Sequence, residues 1–299
     1  MKLLRHGLRG HERPGLVDHD GKVRDLSAQV GDLAAADLAP ERLARLRSVD
    51  VASLPEVAPG TRLGVPWHGM SKFVCVGLNY KDHAAEAKMA LPTEPILFMK
   101  TANTLTGPND PVVLPQGSAK GDWEVELGVV IGTRARYVTE AEALSHVAGY
   151  CVVNDVSERA YQLERGGTWD KGKGADTFGP VGPWLVTADE VPDPQSLRLW
   201  LDVSGERMQD GTTKTMVFGV AQLVSYISRF MTLEPGDLIA TGTPAGVGMG
   251  RKPQRFLRAG DTLRLGIAGL GEQSTTVHAW DAALLDRIHG TRCHARDVD

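Results

Sequence analysis

Residues 122–130 read Asp-Trp-Glu-Val-Glu-Leu-Gly-Val-Val, a run of apolar side chains interrupted by carboxylates. Side chains two positions apart on a strand point to the same face, so the sequence predicts that Glu124 and Glu126 face the same way. The neighbouring residues are typical of a buried sheet, where the two carboxylates would raise each other's pKa unless a cation lay between them. A second interpretation stays open, in which both glutamates lie on the solvated face of an antiparallel sheet.

A third carboxylate follows a second apolar run. Residues 151–155 read Cys-Val-Val-Asn-Asp, so Asp155 comes at the end of a predicted strand. Together with Glu124 and Glu126 it would form a ligand set made only of oxygen atoms. Such a set favours a hard cation, above all Mg²⁺, with Mn²⁺ and Ca²⁺ as alternatives.

A histidine and a glutamate form a separate chemical feature. His83 and Glu86 are three residues apart in a segment of helical composition, so their side chains lie on one face of the predicted helix and can form a hydrogen bond. A neutral histidine held by a carboxylate is a general base for activating water. Taken alone, a pair with this spacing is more often a surface pair, and that alternative stays open.

Residues 166–180 are rich in glycine, and we expect a loop rather than a helix there. Such a loop can bring backbone and a lysine close to an anionic ligand, and Lys171 and Lys173 are the candidates. It lacks the Gly-Lys-Ser/Thr order of a phosphate-binding loop, and a flexible surface loop is the alternative interpretation. Another glycine-rich segment, 241–248, follows an apolar strand but precedes no helical pattern, which excludes a Rossmann-type nucleotide site.

The composition predicts a soluble protein that has no polyanionic partner. The 299 residues carry a formal net charge of −4, and acidic and basic residues are interspersed. No basic stretch with interleaved aromatic residues indicates nucleic-acid binding. Three cysteines lie far apart without a metal-binding spacing, which is typical of free thiols in a reducing compartment. Because neither a signal peptide nor a membrane-spanning apolar stretch is found, we expect a cytoplasmic protein without membrane contact.

Turn-forming and apolar segments divide the chain into three parts. The Pro- and Gly-rich stretch 55–66 predicts a linker, so residues 1–68 are expected to form a small N-terminal β-rich domain. Residues 69–280 contain most of the strand-like runs together with the candidate metal-binding and catalytic residues, and are expected to form the catalytic domain. Residues 281–299 are expected to form a polar C-terminal tail. Helices are expected at 40–46, 83–88, 139–147 and 219–230. Many short strands with few long helices predict a mainly β protein with helices at its edges, in the α+β class.

In this order, five motifs make the chain similar to the fumarylacetoacetate hydrolase family. The motifs are residues 76–80 with His83 and Glu86; residues 95–100; Glu124 and Glu126 before Leu127; Asn154 and Asp155 with Arg159 and Gln162; and Lys173 with Thr177, followed by residues 236–239 and 241–244. The resemblance covers residues 72 to about 275. It implies a catalytic domain of mixed, highly twisted β-sheets rolled around a metal site, preceded here by the small N-terminal domain, and usually assembled as a homodimer.

The resemblance further implies a metal site and a general base. Glu124, Glu126 and Asp155 would bind Mg²⁺ or Mn²⁺. His83, held by Glu86, would activate a water molecule. The segment that follows residue 80 would act as a lid over the site, since it carries the base and is rich in small residues.

It also implies contacts to a small-molecule substrate, a 2-oxo or 2,4-dioxo acid. Lys173, rather than Lys171, would stabilise negative charge that develops on the substrate oxygen. Arg159, Gln162 and Thr243 would hold the carboxylate or carbonyl oxygens of the substrate, with Thr177 nearby.

Members of this family hydrolyse C–C bonds, decarboxylate oxaloacetate-like acids or isomerise acids such as 2-hydroxyhepta-2,4-diene-1,7-dioate. Residues 1–5, 14–18 and 25–27 resemble bacterial members that hydrolyse 2,4-diketo-3-deoxy-L-rhamnonate or the L-fuconate counterpart, whose relatives are often called ureidoglycolate lyases. We therefore predict metal-dependent hydrolysis of a 2,4-dioxo acid to pyruvate and a hydroxy acid. Decarboxylation, isomerisation and a catalytically silent metal-binding protein are the alternatives.

Overall fold

The computed structural model describes residues 1–289, which contain seventeen β-strands and seven α-helices. The strands are β1 (Lys2–His6), β2 (Arg13–Val17), β3 (Val23–Asp25), β4 (Phe73–Gly77), β5 (Ile96–Lys100), β6 (Leu105–Thr106), β7 (Val112–Val113), β8 (Gly121–Asp122), β9 (Val125–Ile131), β10 (Val147–Asn154), β11 (Ser157–Glu158), β12 (Gly179–Thr187), β13 (Arg198–Val203), β14 (Glu206–Thr212), β15 (Leu238–Ala240), β16 (Thr262–Ile267) and β17 (Gly271–His278). The helices are α1 (Pro40–Arg47), α2 (Lys81–Glu86), α3 (Glu140–Ala143), α4 (Arg159–Leu163), α5 (Asp170–Lys173), α6 (Val220–Ile227) and α7 (Ala282–His289). The prediction of a mainly β protein in the α+β class is confirmed.

Two large mixed sheets form the body of the protein. Ten strands make the larger sheet, in the order β3-β2-β1-β12-β10-β9-β15-β4-β5 with β6 beside β12. Five strands make the smaller one, in the order β14-β13-β16-β17-β7. Most neighbours are antiparallel, whereas β15 runs parallel to β4, β6 parallel to β12 and β7 parallel to β17. The strand predicted from residues 122–130 begins at Val125, so Glu124 lies just before it.

Alternate side chains of the central strands enter two different hydrophobic cores. In β9, Leu127 and Val129 belong to the core that also contains residues of the smaller sheet, such as Leu201. Val130 belongs instead to a second core with Leu3 and other N-terminal residues. Because both faces are covered, β9 is buried along its whole length, and the solvated-face interpretation of its carboxylates is wrong.

Residues 1–68, predicted to be a separate domain, extend the larger sheet. Lys2 pairs with Val186 and Leu3 with Leu185, so β1 continues the sheet beyond β12. The Trp67 indole N–H donates to the carbonyl of Gly236 at 2.8 Å. The N-terminal residues are β-rich, as expected, and the boundary at residue 68 stays a prediction.

Two segments differ from the expected secondary structure. Within residues 166–180 the structure contains α5, so the prediction of a loop without helix is wrong. Gly172 serves close packing there, since a Cβ atom on it would lie 2.5 Å from the Cβ atom of Gln162. The predicted tail, 281–299, begins with α7, and residues 290–299 lie outside the described part of the chain.

The length and composition of the helices bear on the expectation that the protein makes no membrane contact. Within residues 1–289, no helix combines the length and the apolar composition that crossing a bilayer requires.

Close packing at the β10–β12 junction predicts a large effect of a single methyl group. Gly149 pairs with Thr187, and a Cβ atom on Gly149 would lie 2.1 Å from the carbonyl oxygen of Val186. We expect Gly149→Ala to lower the free energy of unfolding by about 3 kcal/mol, because backbone rather than a flexible side chain must move. Gly31→Ala is the matched control, since no atom lies within 4 Å of its added methyl group. Equal urea midpoints for the two variants would contradict this account of the packing.

Candidate active site

Three buried carboxylates converge where β9 begins and β10 ends. Val125 pairs with Asn154 in these antiparallel strands, which brings Glu124 and Glu126 beside Asp155. The Asp155 backbone N–H donates to the Glu124 carbonyl at 2.9 Å. One oxygen atom from each of the three carboxylates lies within 4.8 Å of the others, so the three residues can share one metal ion.

Two lysines reach into this group of carboxylates. The Lys173 ammonium donates to Glu124 Oε2 and to Asp155 Oδ2, both at 2.8 Å. Lys100 donates to the other Asp155 oxygen, Oδ1, at 2.6 Å and to the carbonyl of Val156 at 3.0 Å. Both oxygens of Asp155 are therefore held by lysine, which fixes the orientation of the carboxylate.

Arg159, the first residue of α4, fixes Glu124 from the opposite side. Its guanidinium donates to Glu124 Oε1 at 2.7 Å and to Asp122 Oδ2 at 2.8 Å. It also donates to the side-chain oxygen of Gln162 at 3.0 Å. Asp122 in turn accepts the backbone N–H of Gly248 at 2.7 Å, which ties the site to the loop after β15.

The charges in this cluster are nearly balanced but not equal. The four carboxylates, Asp122, Glu124, Glu126 and Asp155, face three permanent cations, Lys100, Arg159 and Lys173. With all four carboxylates ionised, one negative charge is in excess, and a buried excess charge is unfavourable unless a further cation offsets it. An oxygen-only donor set with this excess fits a hard divalent ion.

Burial and neighbouring charges act differently on the two glutamates. Burial raises the pKa of Glu126, and the charges of Asp155 and Glu124 raise it further. Burial would also raise the pKa of Glu124, but the positive charges of Lys173 and Arg159 outweigh it and lower that pKa well below its ordinary value. The carboxylate with the least cationic support is thus Glu126, which accepts one backbone N–H, that of Gly242, at 2.8 Å.

His83 and Glu86 lie on α2, beside the carboxylates. His83 Nδ1 is 3.5 Å from Glu86 Oε2, slightly beyond ordinary hydrogen-bond length, and the imidazole is largely buried. Both Glu86 oxygens accept the backbone N–H of Gly246 at 3.1 Å. A Cβ atom on Gly250 would lie 2.3 Å from the Glu86 carboxyl carbon, so this loop packs directly on the carboxylate. His83 is therefore buried and Glu86 half-buried, so the pair is not a freely solvated surface pair.

A cavity of about 140 Å³ joins these groups. Its polar lining residues are His83, Glu124, Glu126, Arg159, Gln162, Lys173 and Thr243. The apolar wall includes Phe98 and Trp169, whose rings meet edge to face at 5.5 Å between centroids. Gly77 leaves room for this wall, because a Cβ atom there would lie 2.3 Å from the Trp169 ring.

The predicted substrate contacts fall into two groups. Arg159, Gln162 and Thr243 line the cavity, although the Thr243 hydroxyl already donates to the Val125 carbonyl at 2.9 Å. Thr177 does not line it, since its hydroxyl accepts the backbone N–H of Val113 at 2.8 Å. Thr177 thus lies outside this lining, and its place near the substrate stays a prediction.

Sequence reasoning assigned no role to Lys100 or Asp122. A signal for Lys100 existed, because it ends β5 in register with the buried Phe98, two residues earlier, where a lysine without a partner would be unfavourable. Asp122 lay inside the acidic run, but its partner Arg159 is 37 residues away in sequence, and local patterns carry no information on such pairs.

Replacing Lys100 is expected to cause a measurable loss of stability. Its ammonium is fully buried with Asp155, so we expect Lys100→Met to lower the free energy of unfolding by about 3 to 5 kcal/mol. Lys22→Met is the control, because the 2.9 Å pair of Lys22 with Glu56 is solvent-exposed and its loss should change the urea midpoint little. Similar midpoints for the two variants would show that Lys100 does not hold Asp155.

Comparisons with known proteins agree with this architecture. The family model described as fumarylacetoacetate (FAA) hydrolase C-terminal matches residues 72–278. A Burkholderia ambifaria protein, provisionally named a hydrolase, is 62% identical over 274 residues, which cover 91% of this chain and 97% of the relative.

Two solved structures are similar to this chain in three-dimensional fold as well as in sequence. A fumarylacetoacetate hydrolase from Exiguobacterium antarcticum is 36% identical, with a TM-score of 0.83, over 94% of this chain and 100% of the other. A maleylpyruvate hydrolase from Sphingobium sp. SYK-6, in complex with manganese(II) and pyruvate, is 30% identical, with a TM-score of 0.78 and the same 94% and 100% coverage.

Proposed function

This chain belongs to the fumarylacetoacetate hydrolase family, and we propose that it uses a divalent cation to hydrolyse a C–C bond of a 2,4-dioxo acid, releasing pyruvate. One observation carries the proposal: the buried carboxylates Glu124 and Glu126 line the same cavity as His83. The proposed cation site and the proposed general base thus share one cavity. The manganese(II) and pyruvate bound by the Sphingobium protein support the same class of reaction.

Glu124, Glu126 and Asp155 would hold the cation, which we propose to be Mg²⁺ or Mn²⁺. When bound, it would polarise the oxygens of the dicarbonyl and offset the negative charge that develops as the C–C bond breaks. The one-charge excess of carboxylates in the cluster supports this assignment, because a divalent ion would leave the site with a net positive charge that favours an acidic substrate.

His83 is the proposed general base. Its imidazole takes a proton from a water molecule, and the hydroxide adds to the C4 carbonyl carbon. The C3–C4 bond then breaks, so that C4 leaves in a carboxylic acid and C3 in the enolate of pyruvate, which accepts the proton at C3. Glu86 is a positioning residue that orients the imidazole and stabilises its protonated form.

Lys173 is proposed to stabilise the oxyanion that forms at C4. Its ammonium is held by Glu124 and Asp155 at the cavity wall, and a cation fixed in a buried site stabilises developing charge more than one in water. Arg159 and Gln162 are proposed to contact the substrate's carboxylate, and Arg159 also keeps Glu124 in place. Thr243 is proposed as a further contact, since it lines the same cavity.

The proposal also covers the substrate, the domain organisation, the oligomeric state and the cellular compartment. The N-terminal similarity described above favours 2,4-diketo-3-deoxy-L-rhamnonate or its fuconate epimer as a first substrate to test. We further propose that residues 1–68 are a distinct domain and that the protein is a cytoplasmic homodimer. Light scattering of the purified protein tests the homodimer, because a monomeric mass contradicts it.

The decisive experiment measures pyruvate release from the sugar acid, coupled to lactate dehydrogenase and NADH, with Mg²⁺ and with EDTA. Oxaloacetate is run beside it, with CO₂ recorded. Metal-dependent pyruvate from the sugar acid, formed faster than from oxaloacetate, would support the hydrolase. CO₂ from oxaloacetate without sugar-acid turnover would favour a decarboxylase. A spectral change of 2-hydroxyhepta-2,4-diene-1,7-dioate without pyruvate would favour an isomerase.

A further inference from the structure

A buried glutamine of the smaller sheet, Gln209, contacts the strand next to which the carboxylates lie. Gln209 is on β14 and pairs with Leu201 of β13, so its side chain points to the same face as this core leucine and is fully buried. A polar side chain among apolar residues is unfavourable unless its hydrogen-bonding groups have partners. Gln209 has no part in the reaction proposed above, and its partners indicate what it does.

The side-chain oxygen of Gln209 continues the hydrogen bonding of β9 where β15 ends. Just beyond β15, the Thr241 backbone N–H donates to the Leu127 carbonyl at 3.1 Å. Two residues earlier in β9, the Val125 N–H donates to the Gln209 side-chain oxygen at 3.0 Å, and the Val125 carbonyl accepts the Thr243 hydroxyl at 2.9 Å. Two side chains thus take the place of a neighbouring strand at this end of β9.

The side-chain nitrogen of Gln209 holds the loop after β15. It donates to the Thr243 hydroxyl at 2.7 Å and to the Pro244 carbonyl at 2.9 Å. One carboxamide therefore joins this loop to Val125. Because Val125 is the residue between the two glutamates of the cluster, these bonds fix the backbone from which both carboxylates project.

The same loop also bonds one of the two carboxylates directly. Gly242, which precedes Thr243, donates its backbone N–H to Glu126 Oε2 at 2.8 Å. Gln209 therefore acts on Glu126 by two routes, through the backbone of Val125 and through the loop. Glu126 is the carboxylate with the least cationic support, so its position depends most on such neutral contacts.

A β-bulge in β14 aims Gln209 at these partners. The register of β13 and β14 shifts between Leu201 and Asp202, where Met208 is an extra residue in β14. A bulge of this kind changes the direction in which a neighbouring side chain points. A Cβ atom on Gly246 would lie 2.0 Å from the Met208 carbonyl oxygen, so the loop after β15 packs directly on the bulge.

We propose that Gln209 is a positioning residue, which holds Glu124 and Glu126 in the arrangement that binds the cation. This inference rests on the proposed function, since it assigns the two glutamates to a cation. Without the carboxamide, the Val125 N–H and the Pro244 carbonyl lose their partner, and the backbone between the glutamates can shift. Groups that orient metal ligands contribute about tenfold to a hundredfold to metal affinity.

The test compares Gln209→Met with Gln273→Met by calorimetric titration with Mn²⁺ in the absence of substrate. Methionine is similar in length but lacks the amide groups. Gln273 is the matched control, because it is also fully buried and its side-chain nitrogen donates to the carbonyls of Val152, Pro180 and Gly182. Both variants should lower the urea midpoint, whereas only Gln209→Met should weaken Mn²⁺ binding, by about tenfold.

A milder variant gives the same test if Gln209→Met does not fold. Thr243→Val removes the hydroxyl that is bonded to both Gln209 and Val125, and it should weaken Mn²⁺ binding by a smaller factor. Equal Mn²⁺ affinities in the Gln209 and Gln273 variants, or in Thr243→Val and the intact protein, would overturn the positioning role and leave the proposed hydrolase intact. Failure of the intact protein to bind Mn²⁺ would overturn the cation site, and the positioning role with it.

Discussion

Replacing His83 with alanine is expected to lower kcat by a factor of about 10² to 10⁴ while leaving the affinity for Mn²⁺ unchanged. The imidazole lines the cavity beside the carboxylates, but it is not one of the three side chains that can share a cation. Its loss would remove the proposed acceptor for the water proton and leave the proposed metal ligands in place. Pyruvate release measures the first effect, and calorimetric titration with Mn²⁺ measures the second.

Two further variants make the His83 experiment specific. Glu86→Gln should give a smaller loss, because the imidazole remains but its protonated form is no longer stabilised by a negative charge. His11→Ala, at an exposed histidine, should have no effect. Turnover by His83→Ala at the rate of the intact enzyme would remove His83 as the base and leave the cation site unaffected.

Asp155→Asn is expected to weaken Mn²⁺ binding by more than about a hundredfold and to abolish pyruvate release at low metal concentration. The substitution removes one of the three proposed anionic ligands, whereas Lys100 and Lys173 keep their positive charges beside the site. The cluster then has no excess negative charge to attract a cation. Titration with Mn²⁺, followed by activity at increasing Mg²⁺, measures the effect.

Loss of stability must be separated from loss of metal affinity in this variant. Asp237→Asn is the matched control, because Asp237 is also a fully buried aspartate with a lysine partner, Lys72, at 2.7 Å. Both variants should lower the unfolding midpoint, and only Asp155→Asn should weaken Mn²⁺ binding. Equal metal affinity in the two variants, or full activity of Asp155→Asn at low Mg²⁺, would refute the ligand assignment.

The sequence predicted the strands and the carboxylates of the site better than it predicted the contacts between segments that are distant in the chain. Runs of apolar residues predicted β9 and β10, because burial on both faces of a strand is a local property of the sequence, and the family resemblance is confirmed by the match over residues 72–278. The spacing of Glu124 and Glu126 indicated a cation between carboxylates, and the structure brings both together with Asp155.

What sequence reasoning missed depends on contacts between distant segments. The lysine that fixes Asp155 comes from β5, 55 residues earlier, and nothing near Asp155 in sequence predicts it. Likewise, glycine composition suggested a loop at 166–180, whereas Gly172 is the residue that lets α5 pack against Gln162. Glycine at a close contact and glycine in a flexible loop give the same sequence signal.

The order of strands in the larger sheet has a consequence for the newly synthesised chain. β1 is synthesised first, but it cannot pair with β12 until that strand has been made. β15 lies between β9 and β4 in the sheet, so these two strands are not joined until residues 238–240 have been made. Gly242, which supplies the backbone N–H bonded to Glu126, follows later still. Non-local pairings of this kind slow folding and expose unpaired strand edges. The ribosome thus releases most of the polypeptide before the site can assemble, and a nascent chain arrested before Gly242 should be a client of chaperones.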